Sequence, residues 1–309
     1  MKMIFLYIFL ILIFLVLLTS FICFYMAFYN KASEKIRPEN ELPPGKEYEP
    51  YHSLLLKWMD ERKAMPYTEI TVKSFDGLTL SGKYYETKKG APIELMFHGY
   101  RGSAERDLCG GIQRCFALGR NVLIVDQRAH GKSGGNVITF GLKESRDVLS
   151  WVNEINSRFG TDSKIILCGI SMGAATVMMA TEFDLPKNVI GALADCGYTS
   201  AKEIICRVIE NMRLPQKILY PFVRLGAIIF GGFDPDKASA EKALKDCKIP
   251  IIFIHGENDN FVPCNMSERN YAAVSSKKRI MTVKGAGHGA AFLVEPERYL
   301  ETLKDFYDE

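Results

Sequence analysis

The chain has 309 residues, 48% of them hydrophobic and 24% charged, and 39 basic against 36 acidic residues leave a formal net charge of +3. That length supports a sizeable core, and the composition excludes a disordered chain, a collagen and a small disulfide-stapled scaffold. With so small a charge and no lysine- or arginine-rich block, nucleic acid is excluded as a partner, because binding it needs a concentrated basic face.

The first element, from Met3 to Tyr29, holds no charged residue and is dominated by Ile, Leu, Phe, Val and Met. As a helix it would be roughly 40 Å long, against about 30 Å of bilayer hydrocarbon. A cleaved signal peptide has a shorter apolar region, about 7–15 residues, ending at a small-residue site. The Phe-Tyr-Met-Ala-Phe-Tyr end of this run offers no such site. Residues 1–30 are therefore expected to form one transmembrane anchor, separable from the remainder of the chain. Lys2 precedes it, and Lys31, Lys35 and Arg37 come after it. That count of positive charge leans towards a cytoplasmic body. Cysteine usage leans the same way: outside the anchor an odd, scattered seven remain, with no C-x-x-C pair to suggest a disulfide framework, zinc or redox work.

Residues 31–50 are polar and carry Pro38, Pro43, Pro44 and Pro50, which reads as an extended tether. Leu54, Leu55, Leu56, Trp58 and Met59 suggest a short amphipathic helix that opens a body of residues 51–309. Two strands, Glu69–Lys73 and Leu78–Tyr85, are expected to join across Phe75-Asp76-Gly77. Further apolar runs come at Ile93–Phe97, Asn121–Val125, Lys164–Cys168, Val189–Ala194, Pro250–His255 and Arg279–Val283, with helix-length segments between them and a last helix at Glu295–Tyr307. Short apolar strands alternating with helices predict an α/β protein with a mostly parallel sheet covered on both faces. The longest gap between strands, about 197–248, is apolar and helix-like, and is expected to insert a short helical lid.

The strongest local signal is Gly169-Ile170-Ser171-Met172-Gly173, placed directly after a strand and before the helix-forming Ala174–Ala180. On a sharp strand-to-helix turn a serine projects its hydroxyl out of the sheet, and flanking glycines permit the close backbone approach that turn needs. The adjoining helix brings N-terminal amides to the place where an oxyanion would develop. Elsewhere the same pattern is an ordinary glycine-rich turn. Of the five histidines, His98 and His255 each end a strand before a glycine, which suits a turn role. His288 lies in Lys284-Gly285-Ala286-Gly287-His288-Gly289, a glycine loop after the last strand, where a general base could turn to the serine. For the acid that orients it, Asp259 gives the chain order Ser, Asp, His; Asp195 is a rival and Glu257 a weaker one.

With these pieces in place the chain resembles the α/β-hydrolases, close to their serine aminopeptidase-like and monoacylglycerol lipase-like branch. The resemblance rests on Phe97-His98-Gly99-Tyr100, Asp126–Ser133, Gly169–Gly173, His255-Gly256-x-x-Asp259-x-x-Val262-Pro263 and Gly287-His288, in order from about residue 69 to the end. It implies that Ser171 is the nucleophile, Asp259 the acid and His288 the base. The backbone N–H groups of Tyr100 and Met172 would form the oxyanion hole, and Asp126 and Arg128 would be structural. The reaction expected is hydrolysis of a small carboxylic ester or other acyl substrate through an acyl-enzyme, with no metal and no organic cofactor. A peptidase or thioesterase on the same residues is the alternative within enzymes. A catalytically silent, membrane-tethered binding protein is the alternative outside them. Nothing in the sequence sets an oligomeric state.

Overall fold

The eight apolar runs form a single eight-stranded sheet in the computed structural model, which describes residues 2–31, 38 and 40–308. The strands are β1 (Thr68–Lys73), β2 (Thr79–Tyr85), β3 (Ile93–Phe97), β4 (Asn121–Asp126), β5 (Ile165–Ile170), β6 (Val189–Asp195), β7 (Ile251–Gly256) and β8 (Lys278–Val283). Their order in space is β1-β2-β4-β3-β5-β6-β7-β8. β2 pairs antiparallel with β1 and with β4, and every later pairing is parallel. β3 and β7 are buried along their whole length, as strands with helices on both faces should be.

The longer helices are α1 (Lys2–Ala27), α2 (His52–Ala64), α3 (Cys109–Ala117), α4 (Glu144–Phe159), α5 (Met172–Ala180), α6 (Ala201–Asn211), α7 (Gln216–Gly231), α8 (Asn265–Ala273) and α9 (Pro296–Asp308). Successive strand residues point to opposite faces. Leu95 and Leu123 accordingly join Trp151 and Ile155 of α4 and much of α5 in one core, while Met96 and Val122 join Ile112 of α3 and Leu303 and Phe306 of α9 in another. This is the α/β-hydrolase fold, and its parallel strands deliver their carboxyl ends, with the loops that leave them, to one edge of the sheet.

Two expectations change. α1 is long and apolar enough to cross a membrane, and its side chains from Met3 to Leu18 are exposed. From Ser20 onward, however, one side of the helix faces protein. Ser20 and Phe24 are buried, and a Cβ built on Gly226 of α7 would lie 2.1 Å from the Ser20 carbonyl oxygen, an approach that only glycine allows. Phe28 is fully buried, its ring edge-on to Phe140 and Phe233 at 5.6 and 5.1 Å between centroids. The chain then pairs with the body: Asn30 N donates to Asn136 O at 2.8 Å, and Ile138 N to Phe28 O at 2.8 Å. The boundary expected at residue 30 falls inside this packed segment: Phe24, Phe28 and Asn30 are buried against the body, while Phe21, Ile22, Tyr25 and Met26 stay exposed. Of the expected tether 31–50, residues 32–37 and 39, with the Lys35 and Arg37 that weighed on orientation, lie outside the described residues.

The insertion between β6 and β7 is helical, as expected, but it does not cover the cavity beside Ser171. No residue of 197–248 lines that cavity. The apolar face of α7, with Tyr220, Val223, Gly226 and Ala227 buried, is occupied by α6 and α1 instead.

Candidate active site

β5 runs two residues further than expected, so that Ser171 comes directly after the strand's last residue and precedes the first residue of α5. The turn is tight enough to exclude side chains at two places. A Cβ on Gly169 would lie 2.1 Å from the Gly173 carbonyl, and one on Gly173 would lie 2.0 Å from Phe97 O. Ser171 itself takes φ 55° and ψ −115°, a strained backbone for a residue with a side chain. Its N–H donates to Asp195 O at 2.9 Å, and Ala175 N donates to its carbonyl at 3.0 Å. The hydroxyl is thereby held at the sheet edge, at the amino end of α5.

His288 comes from the loop after β8. Its Nε2 is 2.9 Å from Ser171 Oγ, across 117 positions of chain, and its Nδ1 is 2.7 Å from Asp259 Oδ2. Asp259 lies in the loop after β7 and is held through both carboxylate oxygens. Its Oδ1 accepts from Phe261 N at 2.9 Å and from Val262 N at 2.8 Å, and its Oδ2 also meets His255 Nε2 at 3.2 Å. Burial works against its charge, but the hydrogen bonds from His255 and His288 outweigh that and hold the carboxyl well below the ordinary carboxylate range. An ionised carboxylate on Nδ1 places the proton there and leaves Nε2 as the acceptor facing Ser171.

The other candidates go elsewhere. Asp195 accepts from Tyr299 Oη at 2.8 Å through Oδ2, and burial pushes its carboxyl above the usual range. Glu257 accepts from Thr282 Oγ1 at 2.8 Å at the exposed edge. His98 is fully buried, its Nε2 accepting from Gln127 N at 3.1 Å. Arg128 bridges Asp147 and Asp76, a structural tie. Tyr100 and Met172 flank the serine. Met172 opens α5, and Tyr100 comes after Gly99, where a built Cβ would stand 3.6 Å from Ser171 Cβ.

A cavity of about 370 Å³ opens at Ser171 and His288, with Leu55, Met96, Ile170, Phe261, Phe292 and Leu293 among its walls. Pro43, Pro44, Glu47 and Tyr48 complete it, from the segment expected to be only a tether. Tyr48 lies in the 3-10 helix Lys46–Tyr51 and donates its hydroxyl to His288 O at 2.6 Å. Sequence reasoning missed this contact and also the part played by His255, which bonds Ser267 Oγ at 2.6 Å and Val262 O at 2.8 Å besides Asp259. A strand-ending histidine four positions before an aspartate was the one available signal for the second. Cys196, Asp259 and His288 bring potential metal ligands within 4.8 Å of one another. Their chemistry suits hydrogen bonding better: burial and the neighbouring Asp195 and Asp259 keep the Cys196 thiol protonated, and His288 and Asp259 already bind each other.

Comparison with known proteins supports the fold. Residues 200–289, which include Asp259 and His288, match the family model of FSH1 serine hydrolases. The esterase Pf2001 of Pyrococcus furiosus superposes with a TM-score of 0.66 over 89% of this chain and 97% of its own, at 24% identity. These likenesses give the chain the α/β-hydrolase fold. A further structure, that of Est1E from Butyrivibrio proteoclasticus with ferulic acid bound, gives a TM-score of 0.59 at 19% identity, covering 78% of this chain and all of that one. Among curated relatives, YqkD of Bacillus subtilis is 27% identical over 62% of this chain, and the match spans 63% of that protein. Protein bem46 of Schizosaccharomyces pombe is 26% identical over 79% of this chain and 78% of its own length.

Proposed function

We propose that this hydrolase is a membrane-anchored enzyme that cleaves carboxylic esters through a Ser171 acyl-enzyme. The observation that carries the reading is the line of hydrogen bonds from Ser171 through His288 to Asp259 at the mouth of an apolar cavity. In this reading His288 Nε2 takes the hydroxyl proton as Ser171 Oγ attacks the acyl carbon. The tetrahedral oxyanion is held by the Tyr100 and Met172 amides at the positive end of α5. The Asp259 carboxylate stabilises the imidazolium, which gives its proton to the departing alkoxide. Water, deprotonated by His288, then attacks the acyl carbon, releases the acid and returns the proton to Ser171.

The cavity's aliphatic and aromatic walls support an acyl chain there, and the Pf2001 likeness supports esters over amides. Retention of α1 is supported by its packing: cleavage near residue 30 would strip Phe24 and Phe28 from the core. The test uses the full chain in detergent, labelled with a fluorophosphonate and assayed on acyl esters of graded length, thioesters and aminoacyl amides. Labelling lost in Ser171→Ala, with esters the best substrates, is expected. Wild-type labelling of folded Ser171→Ala overturns the nucleophile, and a preference for amides makes the enzyme a peptidase.

A further inference from the structure

The end of α1 is tied to the loop on which the proposed oxyanion hole depends. The last carbonyls of any helix lack partners within it, and a cation there also complements the helix dipole. α1 has no basic residue in its last turn. Its needs are met from residues more than seventy positions away. Tyr100 donates its hydroxyl to Ala27 O at 2.7 Å, and Arg101 Nη2 donates to Met26 O and to Tyr29 O, both at 2.9 Å. The Arg101 guanidinium also lies 5.4 Å from the centre of the Tyr100 ring, and that ring packs on Phe140, against which Phe28 packs as well.

The recipient loop is strained. Gly99 to Gly102 form a turn closed by Gly102 N to Gly99 O at 3.2 Å, and Arg101 sits at φ +50°, which a residue with a side chain adopts only when its surroundings require it. Among the ties that hold the turn, the first is Gly99 N to Asp107 Oδ2 at 3.0 Å, the second Arg101 N to His130 Nε2 at 3.1 Å, and the third the side chains of Tyr100 and Arg101 on the end of the N-terminal segment. The far end of the third tie is itself immobilised, by the buried Phe28 and by the hydrogen bond of Asn30 Nδ2 to Ala129 O at 2.8 Å.

We propose that the carboxyl end of the N-terminal helix positions the oxyanion loop, with Arg101 and the Tyr100 hydroxyl as positioning groups, so that an N-terminal segment which composition marks as an anchor is also part of the catalytic apparatus. This rests on the reading of Ser171 as nucleophile and Tyr100 N–H as an oxyanion donor. Loosening the tie lets the turn leave its strained conformation and carries the Tyr100 amide away from the oxyanion. Tyr100 also lines the cavity, but Tyr100→Phe keeps its ring there, so the walls that bind substrate are left in place.

The experiment compares full-length Tyr100→Phe, Arg101→Ala, Arg101→Lys and the Tyr100→Phe/Arg101→Ala double variant in detergent with wild type. It measures kcat and KM on a short acyl ester and affinity for a trifluoromethyl ketone, whose serine adduct places an oxyanion in the same hole. Losing one oxyanion donor outright costs about 10²–10³ in kcat, so a displaced donor in the double variant should cost about 10–10²-fold, with KM nearly unchanged. Ketone affinity should fall in step with kcat, and Arg101→Lys, which keeps a donor and a charge, should recover part of the Arg101→Ala loss. Unchanged kcat and ketone affinity in the folded double variant overturn the inference, and so does a loss confined to KM. If the double variant does not fold, Tyr100→Phe alone decides, since it removes one hydroxyl and nothing else. Ser171→Ala separates the two levels: if it is inactive while the tie variants behave as wild type, only the positioning role fails, and if it remains active, the underlying reading fails.

Discussion

Ser171, Asp259 and His288 stand on loops that leave β5, β7 and β8, whereas Met26–Asn30 and Tyr48 reach the same site from the opposite end of the chain. The first group is held by backbone. Its strands are paired within the sheet, so its positions are set by the whole sheet. The second group has only a short backbone pairing, of Phe28 and Asn30 with residues 136–138, and otherwise rests on side-chain hydrogen bonds and aromatic packing, each breakable on its own. Chemistry and placement are therefore separable here, and substitutions can show how far.

The largest effect belongs to the sheet-borne group. Ser171→Ala should lower kcat by about 10⁴-fold or more, His288→Ala by as much, and the double variant by little beyond either, because nucleophile and base act as one unit. Steady-state turnover of the three variants checks this, and additive losses would mean that the residues do not cooperate. Next, Asp259→Asn should cost on the order of 10³-fold through the wrong His288 tautomer, while Asp195→Asn, whose partner is Tyr299, should cost less than about tenfold. The reverse ranking would move the acid to the loop after β6.

The N-terminal apolar run can be tested against itself. Phe28→Ala should destabilise the body by about 3–5 kcal/mol, the cost of removing a fully buried phenyl ring. Phe14→Ala, on the exposed side of the same apolar run, should stay within about 0.5 kcal/mol. Denaturant unfolding in a fixed detergent measures both. Equal losses would erase the division of the apolar run near Ser20.

The turn at Ser171 was legible because its signal is local. Gly169–Gly173 carries the elbow within five residues, and the apolar run expected at Lys164–Cys168 lies within two residues of β5 at each end. Chain order and the motif after β7 favoured Asp259 over Asp195 and Glu257, although a carboxylate after a strand looks locally the same at all three. The N-terminal segment was opaque for a different reason. An apolar helix reports that it avoids water, not whether lipid or protein covers it, so Phe28 and Phe14 read alike. Pro43–Tyr48 has no apolar period, and its part in the site depends on a contact 240 positions away.

The smallest expected effect tests that contact. The Tyr48 hydroxyl donates to the His288 carbonyl, and its ring fills the cavity wall beside Gly289, where a Cβ would lie 2.7 Å from the hydroxyl oxygen. Tyr48→Phe keeps the ring and removes one hydrogen bond, worth about 1 kcal/mol, so kcat should fall roughly fivefold. The loss should appear in kcat and not in KM, because the bond constrains the loop that carries the base and touches no substrate. Its size should also grow when the His288–Asp259 bond is already weakened, so the Tyr48→Phe/Asp259→Asn pair should be non-additive. Strict additivity, or a change in KM alone, would make the 40–51 segment a wall of the cavity with no hold on His288.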